Sequence, residues 1–121
     1  MSKPILEKFT PHDVGQKSWG REILVAHTEH YTGKLMLMRA GSRGPLQYHE
    51  KKDETFYLYS GDAQITAMNE QGQYYTIAME AGESYHVPAG AVHQVEAVTD
   101  CVFFEASTPV FDDRVAVARP L

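Results

Sequence analysis

The stretch QYHEKKDETFYLYSG (residues 47–61) places an amide, an imidazole and a carboxylate close together in one short segment. Alternate residues of a β-strand share a face, so Gln47 and His49 project together, and Glu54 aligns with Phe56 on a second strand. If both faces point into a closed barrel, the Glu54 carboxylate is buried, which costs several kcal/mol without a compensating partner. A divalent cation held between these side chains supplies that compensation.

Turn signals surround this segment and divide the chain into short runs rich in Val, Ile, Tyr and Phe. From Trp19 onward they recur about every eight to twelve residues, as TEHYTG, AGSRGP, YSGD, NEQGQ, EAGE, PAGA and VTD. This spacing is typical of an all-β sandwich or barrel, and we expect helices to be few and short. The NEQGQ turn predicts a hairpin in which Gly72 adopts a positive φ.

A second segment, GESYHVPAGAVHQVEA (residues 82–97), contributes another imidazole directly after a turn. Pro88 and Gly90 form the predicted tight turn, and His93 begins the following strand with Val95 on its side. We therefore predict a metal site whose ligands are one amide, two imidazoles and one carboxylate. The candidate ligands are Gln47, His49, Glu54 and His93.

Length and composition narrow the class of protein. With 121 residues, 43% of them hydrophobic and 22% charged, the chain is predicted to be a globular domain. We expect an N-terminal arm at residues 1–18 and a barrel with a C-terminal extension at residues 19–121. The start lacks a secretory signal and no apolar run is long enough to cross a membrane. The single Cys101 cannot form an internal disulfide, so we expect a cytoplasmic protein.

Glycines and candidate ligands of the first segment have a spacing that resembles the first cupin motif. It runs Gly41, five residues, Gln47-x-His49, four residues, Glu54, six residues and Gly61. Glutamine stands where the commoner pattern has its first histidine. The two glycines have a physical role in this pattern, because they form turns between barrel strands.

The second segment resembles the second cupin motif. It runs Gly82, five residues, Pro88-x-Gly90, two residues and His93, and Ala97 stands where an asparagine is often found. Both motifs occur in order and at their spacings. The resemblance implies a single-domain cupin, a double-stranded β-helix or jelly-roll barrel, with the four candidate ligands at its mouth.

A narrower likeness to the cupin domain of type II phosphomannose isomerases covers residues 19–115. It rests on the order of KSWGRE, YTGKLMLM, the Gln-x-His segment and EASTPVFDD. In that family the central stretch commonly reads Gln-x-His-His-His-Arg-x-Glu-His-Trp. Here Glu50 and Lys51 replace the two extra histidines, Lys52 replaces the arginine, and Phe56 replaces the tryptophan. The likeness implies a sugar or sugar phosphate as the small-molecule ligand.

The four candidate ligands form a nitrogen and oxygen set without thiolate, which suits one divalent ion such as Zn, Mn, Ni, Fe or Co. With one anionic ligand, the ion keeps a net charge of about +1 and acts as a Lewis acid, as aldose-ketose isomerisation requires. We therefore predict a metal-dependent enzyme that isomerises or epimerises a carbohydrate or sugar phosphate. The alternatives are a non-catalytic module that binds a small ligand through its metal, and an Fe-dependent dioxygenase.

An isomerase also needs a base that moves a proton between neighbouring carbons. His86 is our first candidate, because an imidazole titrates near neutral pH. Lys34, Glu105 and Lys52 are the other residues that could reach the barrel mouth. For Lys52 we expect an orientation towards solvent or a pairing with a neighbouring carboxylate.

Partners are predicted from charge and from exposed aromatic residues. A net charge of -5 with scattered basic residues argues against nucleic acid. Arg39 and Arg43 offer planar forks for a phosphate, although a solvated surface charge is the more ordinary interpretation of both. Four tyrosines are expected on the outer surface and predict a homodimer. They are Tyr57, Tyr59, Tyr74 and Tyr75.

Overall fold

A computed structural model describes residues 3–118 of the chain. Within this range the chain forms strands and no helix, which confirms the predicted all-β class and leaves no helix there to span a membrane. The strands are β1 (His12–Lys17), β2 (Gly20–His27), β3 (Thr32–Met38), β4 (Gln47–His49), β5 (Glu54–Ser60), β6 (Asp62–Met68), β7 (Tyr74–Glu80), β8 (Ser84–Val87), β9 (His93–Ala97), β10 (Cys101–Ser107) and β11 (Arg114–Ala116).

The strands form two sheets that together make the predicted jelly-roll barrel. The first sheet has the order β1-β2-β3-β10-β5-β8, and the second has the order β11-β4-β9-β6-β7. Their strand pairings are antiparallel. Sequence neighbours β4 and β5 lie in different sheets, so residues only a few positions apart approach the barrel interior from opposite walls.

Alternation along the strands produces the core. In β5, Glu54, Phe56 and Leu58 are buried, while Tyr57 and Tyr59 on the opposite face are exposed. Phe56 packs at an angle against Phe103 of β10, with ring centroids 6.4 Å apart. Apolar side chains from both sheets therefore fill one end of the barrel, and the polar side chains on the same inner faces form the site described below.

Two tight turns depend on glycine. In the β6–β7 hairpin, Gly72 has a φ of 75° and donates a hydrogen bond to the Asn69 carbonyl, which confirms the predicted turn. Gly61 joins β5 to β6 with a φ of 96°, and a Cβ at this position would collide with the Asp100 carbonyl oxygen. A larger residue at position 61 would therefore displace the strand that follows Asp100.

The N-terminal region contributes to the first sheet. Residues 12–17 form the edge strand β1, which pairs with β2, whereas residues 3–11 are exposed and form no strand. The predicted arm (residues 1–18) therefore includes a strand. The outer ends of the two predicted segments lie outside the described range. They are residues 1–2 of the arm and residues 119–121 of the barrel segment.

The outer tyrosines occupy both sheets. Tyr57 and Tyr59 are exposed on β5, Tyr75 is exposed on β7, and Tyr74 is partly buried. The first three side chains therefore have the predicted outward orientation. The homodimer inferred from them stays a prediction.

Candidate metal centre

Three of the four candidate ligands meet inside the barrel. His49 ends β4, Glu54 begins β5, and His93 begins β9, so each side chain comes from a strand end near the same opening. One ligand atom from each residue lies within 4.8 Å of the others. The two histidines come from the second sheet and the glutamate from the first. Strand parity within each segment, together with the closure of the barrel, therefore assembles the cluster.

The imidazoles face the carboxylate at short range. His93 Nε2 lies 3.3 Å from Glu54 Oε1, and His49 Nε2 lies 3.7 Å from Glu54 Oε2. All three side chains are at most 9% exposed. These distances leave the nitrogen and oxygen atoms grouped around a common point.

The other ring nitrogen of each histidine is held by an acceptor. His49 Nδ1 lies 3.0 Å from Asp113 Oδ1, and His93 Nδ1 lies 2.9 Å from the Ala91 carbonyl oxygen. Because a carboxylate and a carbonyl can only accept here, we assign the protons to Nδ1 in both rings. Each Nε2, on the Glu54 side, is then the ring nitrogen left for a metal ion.

Unpaired oxygens at the cluster fit a divalent cation. Both Glu54 oxygens and the Gln47 Oε1 atom are buried and accept no hydrogen bond. Lys52 Nζ lies 3.0 Å from Glu54 Oε2, but this ion pair lacks hydrogen-bond geometry. Gln47 is paired with His93 across β4 and β9 and lines the same cavity. Electron-rich atoms that face one another in a buried site are stabilised by a cation, and this set suits a divalent ion.

The cluster lies in a cavity of about 310 Å³ between the two sheets. Its walls include the apolar side chains of Trp19, Met36 and Phe56. The polar side chains that share the cavity with the four candidate ligands include Glu22, Lys34, Lys52 and Glu105. The cavity thus combines a cation site, apolar walls and several ionisable groups, which is typical of a small-molecule site.

Buried charges continue from Glu54 along the first sheet. Lys52 Nζ lies 3.0 Å from both Glu54 Oε2 and Glu105 Oε2, and Lys34 Nζ lies 3.4 Å from Glu22 Oε1. Glu105 and Lys34 are directly opposite each other on β10 and β3. Of the two alternatives for Lys52, the solvent orientation is wrong, since its side chain is only 8% exposed, and the pairing with a neighbouring carboxylate, Glu54, is confirmed.

Burial and charge shift the pKa values of these groups in different directions. Burial opposes ionisation of Glu54, but the His93 imidazole and the Lys52 ammonium outweigh it and lower the pKa of this carboxyl. For Lys52, burial is outweighed by the charges of Glu105 and Glu54, which raise its pKa. Burial raises the pKa of Glu105 despite the nearby Lys52. Lys52 is therefore held as a cation, and Glu105 is the carboxyl that protonates more readily.

His86 lies outside the cavity. It pairs with Thr55 across β8 and β5, and Thr55 is on the face opposite Glu54. The His86 side chain is 59% exposed, and its Nε2 lies 2.6 Å from Asp53 Oδ1. This register directs the imidazole to the outside of the barrel, so His86 does not meet the other predicted catalytic candidates, Lys34 and Glu105, which do line the cavity.

The two candidate phosphate-binding arginines also lie away from the cavity lining. Arg39 donates a hydrogen bond of 2.7 Å to the Ser18 carbonyl, and Arg43 Nη1 lies 4.0 Å from Glu96 Oε1. Both residues are exposed. Their ordinary interpretation as surface charges agrees with this placement.

Asp113 is the site residue that the sequence analysis missed. Besides contacting His49, it accepts hydrogen bonds of 2.7 Å from the backbone N–H groups of Lys51 and Lys52. Its sequence separation from His49 is 64 residues, so no local pattern links the two. Its one signal in the sequence was its place in the EASTPVFDD segment. That segment contributed to the family likeness, but the likeness assigned no role to Asp113.

Acid titration of the metal-free protein should reveal the Asp113 contacts. Burial would raise the pKa of Asp113, but the Lys51 and Lys52 N–H groups and His49 lower it. A lowered native pKa stabilises the fold above the ordinary pKa of about 4, and this contribution is lost as the pH falls through the native value. We expect Asp113→Asn to flatten the loss of unfolding free energy between about pH 5 and 2 in denaturant titrations. If the unfolding free energies of the variant and the wild type fell in parallel with pH, the stabilising contacts assigned to the Asp113 carboxylate would be wrong.

Comparisons with known proteins agree with this architecture. The family model of the cupin domain (Cupin_2) matches residues 34–107, more than half of the chain. A sequence comparison with curated proteins finds no significant match.

Solved structures share the fold at low sequence identity. The capsular polysaccharide assembling protein CapF from Staphylococcus aureus superposes with a TM-score of 0.79 and 18% identity, covering 91% of this chain and 32% of CapF. Oxalate decarboxylase from Bacillus subtilis superposes with a TM-score of 0.75 and 20% identity, covering 88% of this chain and 30% of the enzyme. The chain spans about a third of the length of each. The domain match over both motifs, together with this shared architecture, shows that the chain belongs to the cupin family.

Proposed function

We propose that this cupin is a metal-dependent enzyme that isomerises or epimerises a small carbohydrate or sugar phosphate. The observation that carries the proposal is the buried cluster of His49, Glu54 and His93 at the end of a cavity, with both Glu54 oxygens free of hydrogen bonds. The likeness of residues 19–115 to the cupin domain of type II phosphomannose isomerases supports the choice of reaction. The structural similarity to CapF, a capsular polysaccharide assembling protein, supports a carbohydrate ligand.

The residues that would hold the ion are His49, Glu54 and His93, with the Gln47 amide oxygen as the fourth ligand. A divalent ion bound there supplies a Lewis acid for a carbonyl or hydroxyl oxygen of the ligand. One carboxylate and three neutral ligands leave the charge of such an ion partly uncompensated, which favours an electron-rich oxygen as the next partner.

Glu105 is the residue that we propose as the proton carrier. It lines the cavity, its side chain is only 5% exposed, and its Oε2 atom lies 3.0 Å from the Lys52 ammonium. Burial raises its pKa, which brings a carboxyl group closer to the range in which general acid–base catalysis is efficient. Lys52 is less suitable as a base because its pKa is raised. Its ammonium group instead bridges the Glu105 and Glu54 carboxylates.

The walls of the cavity define which ligand fits. A volume of about 310 Å³ accommodates a small molecule rather than a polymer segment. Trp19 and Phe56 provide flat apolar surfaces for the carbon face of a sugar, while Lys34 and Glu22 offer polar groups for hydroxyls. This mixed lining excludes bulk water from part of the ligand and still orients it.

Isomerisation should exchange a substrate proton with solvent. With the metal-loaded protein in D₂O, we expect deuterium at the carbon next to the carbonyl of an aldose or ketose, detected by NMR or mass spectrometry. Glu105→Gln should reduce this exchange by about 10²- to 10⁴-fold while the bound metal stays at the wild-type level. Glu70→Gln, in the exposed β6–β7 turn, is the matched control and should exchange like the wild type.

The outcome separates this proposal from the alternatives. A bound metal without exchange across a panel of sugars and sugar phosphates would contradict the isomerase and favour a ligand-binding module. Oxygen consumption by the iron-loaded protein would favour a dioxygenase.

We also propose a homodimer from the exposed Tyr57, Tyr59 and Tyr75, which sedimentation of the protein tests.

A further inference from the structure

The C-terminal strap (residues 108–116) lies against the loop that carries the metal ligands. Strand β11 within it pairs with β4, so that Arg114 is directly opposite His49. At the start of the strap, the Thr108 N–H donates to the Asp53 carbonyl at 3.0 Å, and the Thr108 hydroxyl accepts from the Asp53 N–H at 3.0 Å. The strap is therefore joined to both sides of the segment between His49 and Glu54.

The same strap also contacts the opposite wall of the barrel. Phe111 lies under the Lys34 ammonium, 5.1 Å from Nζ to the ring centroid, and its ring meets the edge of His27 with centroids 5.3 Å apart. Lys34 and His27 belong to β3 and β2 of the first sheet, whereas β4 belongs to the second. The strap thus crosses from one sheet to the other beside the cavity.

Asp113 makes three contacts between the strap and the segment from His49 to Lys52. One carboxylate oxygen lies 3.0 Å from His49 Nδ1, and the other accepts the N–H groups of Lys51 and Lys52, both at 2.7 Å. The Asp113 side chain is only 8% exposed. The carboxylate therefore fixes both the tautomer of the His49 ring and the backbone that leads into Lys52 and Glu54.

We infer that Asp113 is a positioning residue for the metal centre, and that metal binding and docking of the C-terminal strap reinforce each other. This inference rests on the proposed metal binding. A carboxylate that holds Nδ1 orients the ring and increases the basicity of the opposite nitrogen, so its loss weakens a metal site by about 10- to 100-fold. Coupling between two binding events is reciprocal, so the bound ion must strengthen the docking of the strap by the same factor.

Metal affinity tests the positioning role. We expect Asp113→Asn to weaken Co²⁺ binding by about 10- to 100-fold in a titration followed by visible absorbance. Asp62→Asn is the matched control, because it removes the same charge from an exposed residue of β6 that does not line the cavity, and its affinity should stay within about threefold of the wild type. Equal affinities for both variants and the wild type would overturn the inference while leaving the metal site intact. Absence of Co²⁺ binding by the wild type would instead overturn the proposed function.

The wild-type protein provides a measurement that does not depend on the folding of a variant. Amide exchange at Lys51 and Lys52 reports the docking of Asp113, because both N–H groups donate to its carboxylate. Addition of Zn²⁺ should slow hydrogen exchange at these two amides. If an amide exchanges only when the strap undocks, the slowing should be about 10- to 100-fold. The Gly72 amide in the β6–β7 turn is the internal control and should not change. Unchanged exchange at Lys51 and Lys52 in the zinc-loaded protein would overturn the coupling.

Discussion

His93→Ala should abolish metal binding. The imidazole supplies one of three ligand atoms within 4.8 Å of one another, and no other described side chain of the cluster can replace it. Loss of a residue that only orients a metal ligand lowers the metal affinity by up to about 100-fold. We expect a larger loss of affinity for His93→Ala. Elemental analysis after gel filtration should show near-complete loss of the ion. The thermal stability gained on adding metal should disappear as well, because an ion that binds only the folded state stabilises it.

A histidine outside the cavity provides the control for this result. His86 is mostly exposed and pairs with Asp53 on the outer face of the barrel. His86→Ala should therefore keep the metal content and the metal-dependent stability of the wild type. If His93→Ala retained its metal, or if both variants lost it equally, the assignment of His93 as a ligand would be wrong.

Lys52→Met should strongly destabilise the metal-free protein. The ammonium group lies 3.0 Å from the carboxylates of Glu54 and Glu105, and all three side chains are at most 8% exposed. Removing one partner of a buried ion pair leaves an uncompensated charge and costs about 3–5 kcal/mol. We expect a loss of this size in the unfolding free energy at pH 7, measured with denaturant. Adding Zn²⁺ should reduce the loss, because the ion compensates Glu54.

The adjacent lysine and the pH dependence distinguish this effect from a general loss of charge. Lys51 is exposed, and Lys51→Met should change the unfolding free energy by less than about 0.5 kcal/mol. The pKa of Lys52 is raised, so its contribution is complete below the ordinary lysine value of about 10.4 and is lost as the pH rises through the native value. The difference between wild type and Lys52→Met should therefore persist from pH 7 to about pH 10. Equal effects of the two substitutions would contradict the buried ion pairs.

The barrel and the meeting of three candidate metal ligands could be predicted from the sequence because both depend on local rules. Turn glycines such as Gly61 and Gly72 have the positive φ values that the turn pattern requires. Glu54 begins β5, in which burial alternates and Phe56 shares its face. His93 begins β9 with Val95 on its side, and His49 ends β4 two residues after Gln47. A two-residue period is enough for this prediction, since it needs no knowledge of which strands are adjacent.

Other parts of the site depend on register and on contacts between distant segments. His86 is outside because β8 pairs with β5 in a register that places it opposite Thr55. Lys52 lies in a loop, where no alternation indicates the direction of a side chain, and its burial follows from the two carboxylates that it meets. Asp113 reaches His49 only because β11 is added to the edge of the second sheet beside β4. None of these pairings can be derived from a single strand.

The division of the ligands between the two sheets affects the order of events in maturation. Glu54 belongs to one sheet and the two histidines to the other, so an ion bound as we propose would join the two sheets. A newly made chain holds these groups apart and offers no ready chelate to passing cations. An ion bound as proposed is therefore acquired only after the two sheets have come together.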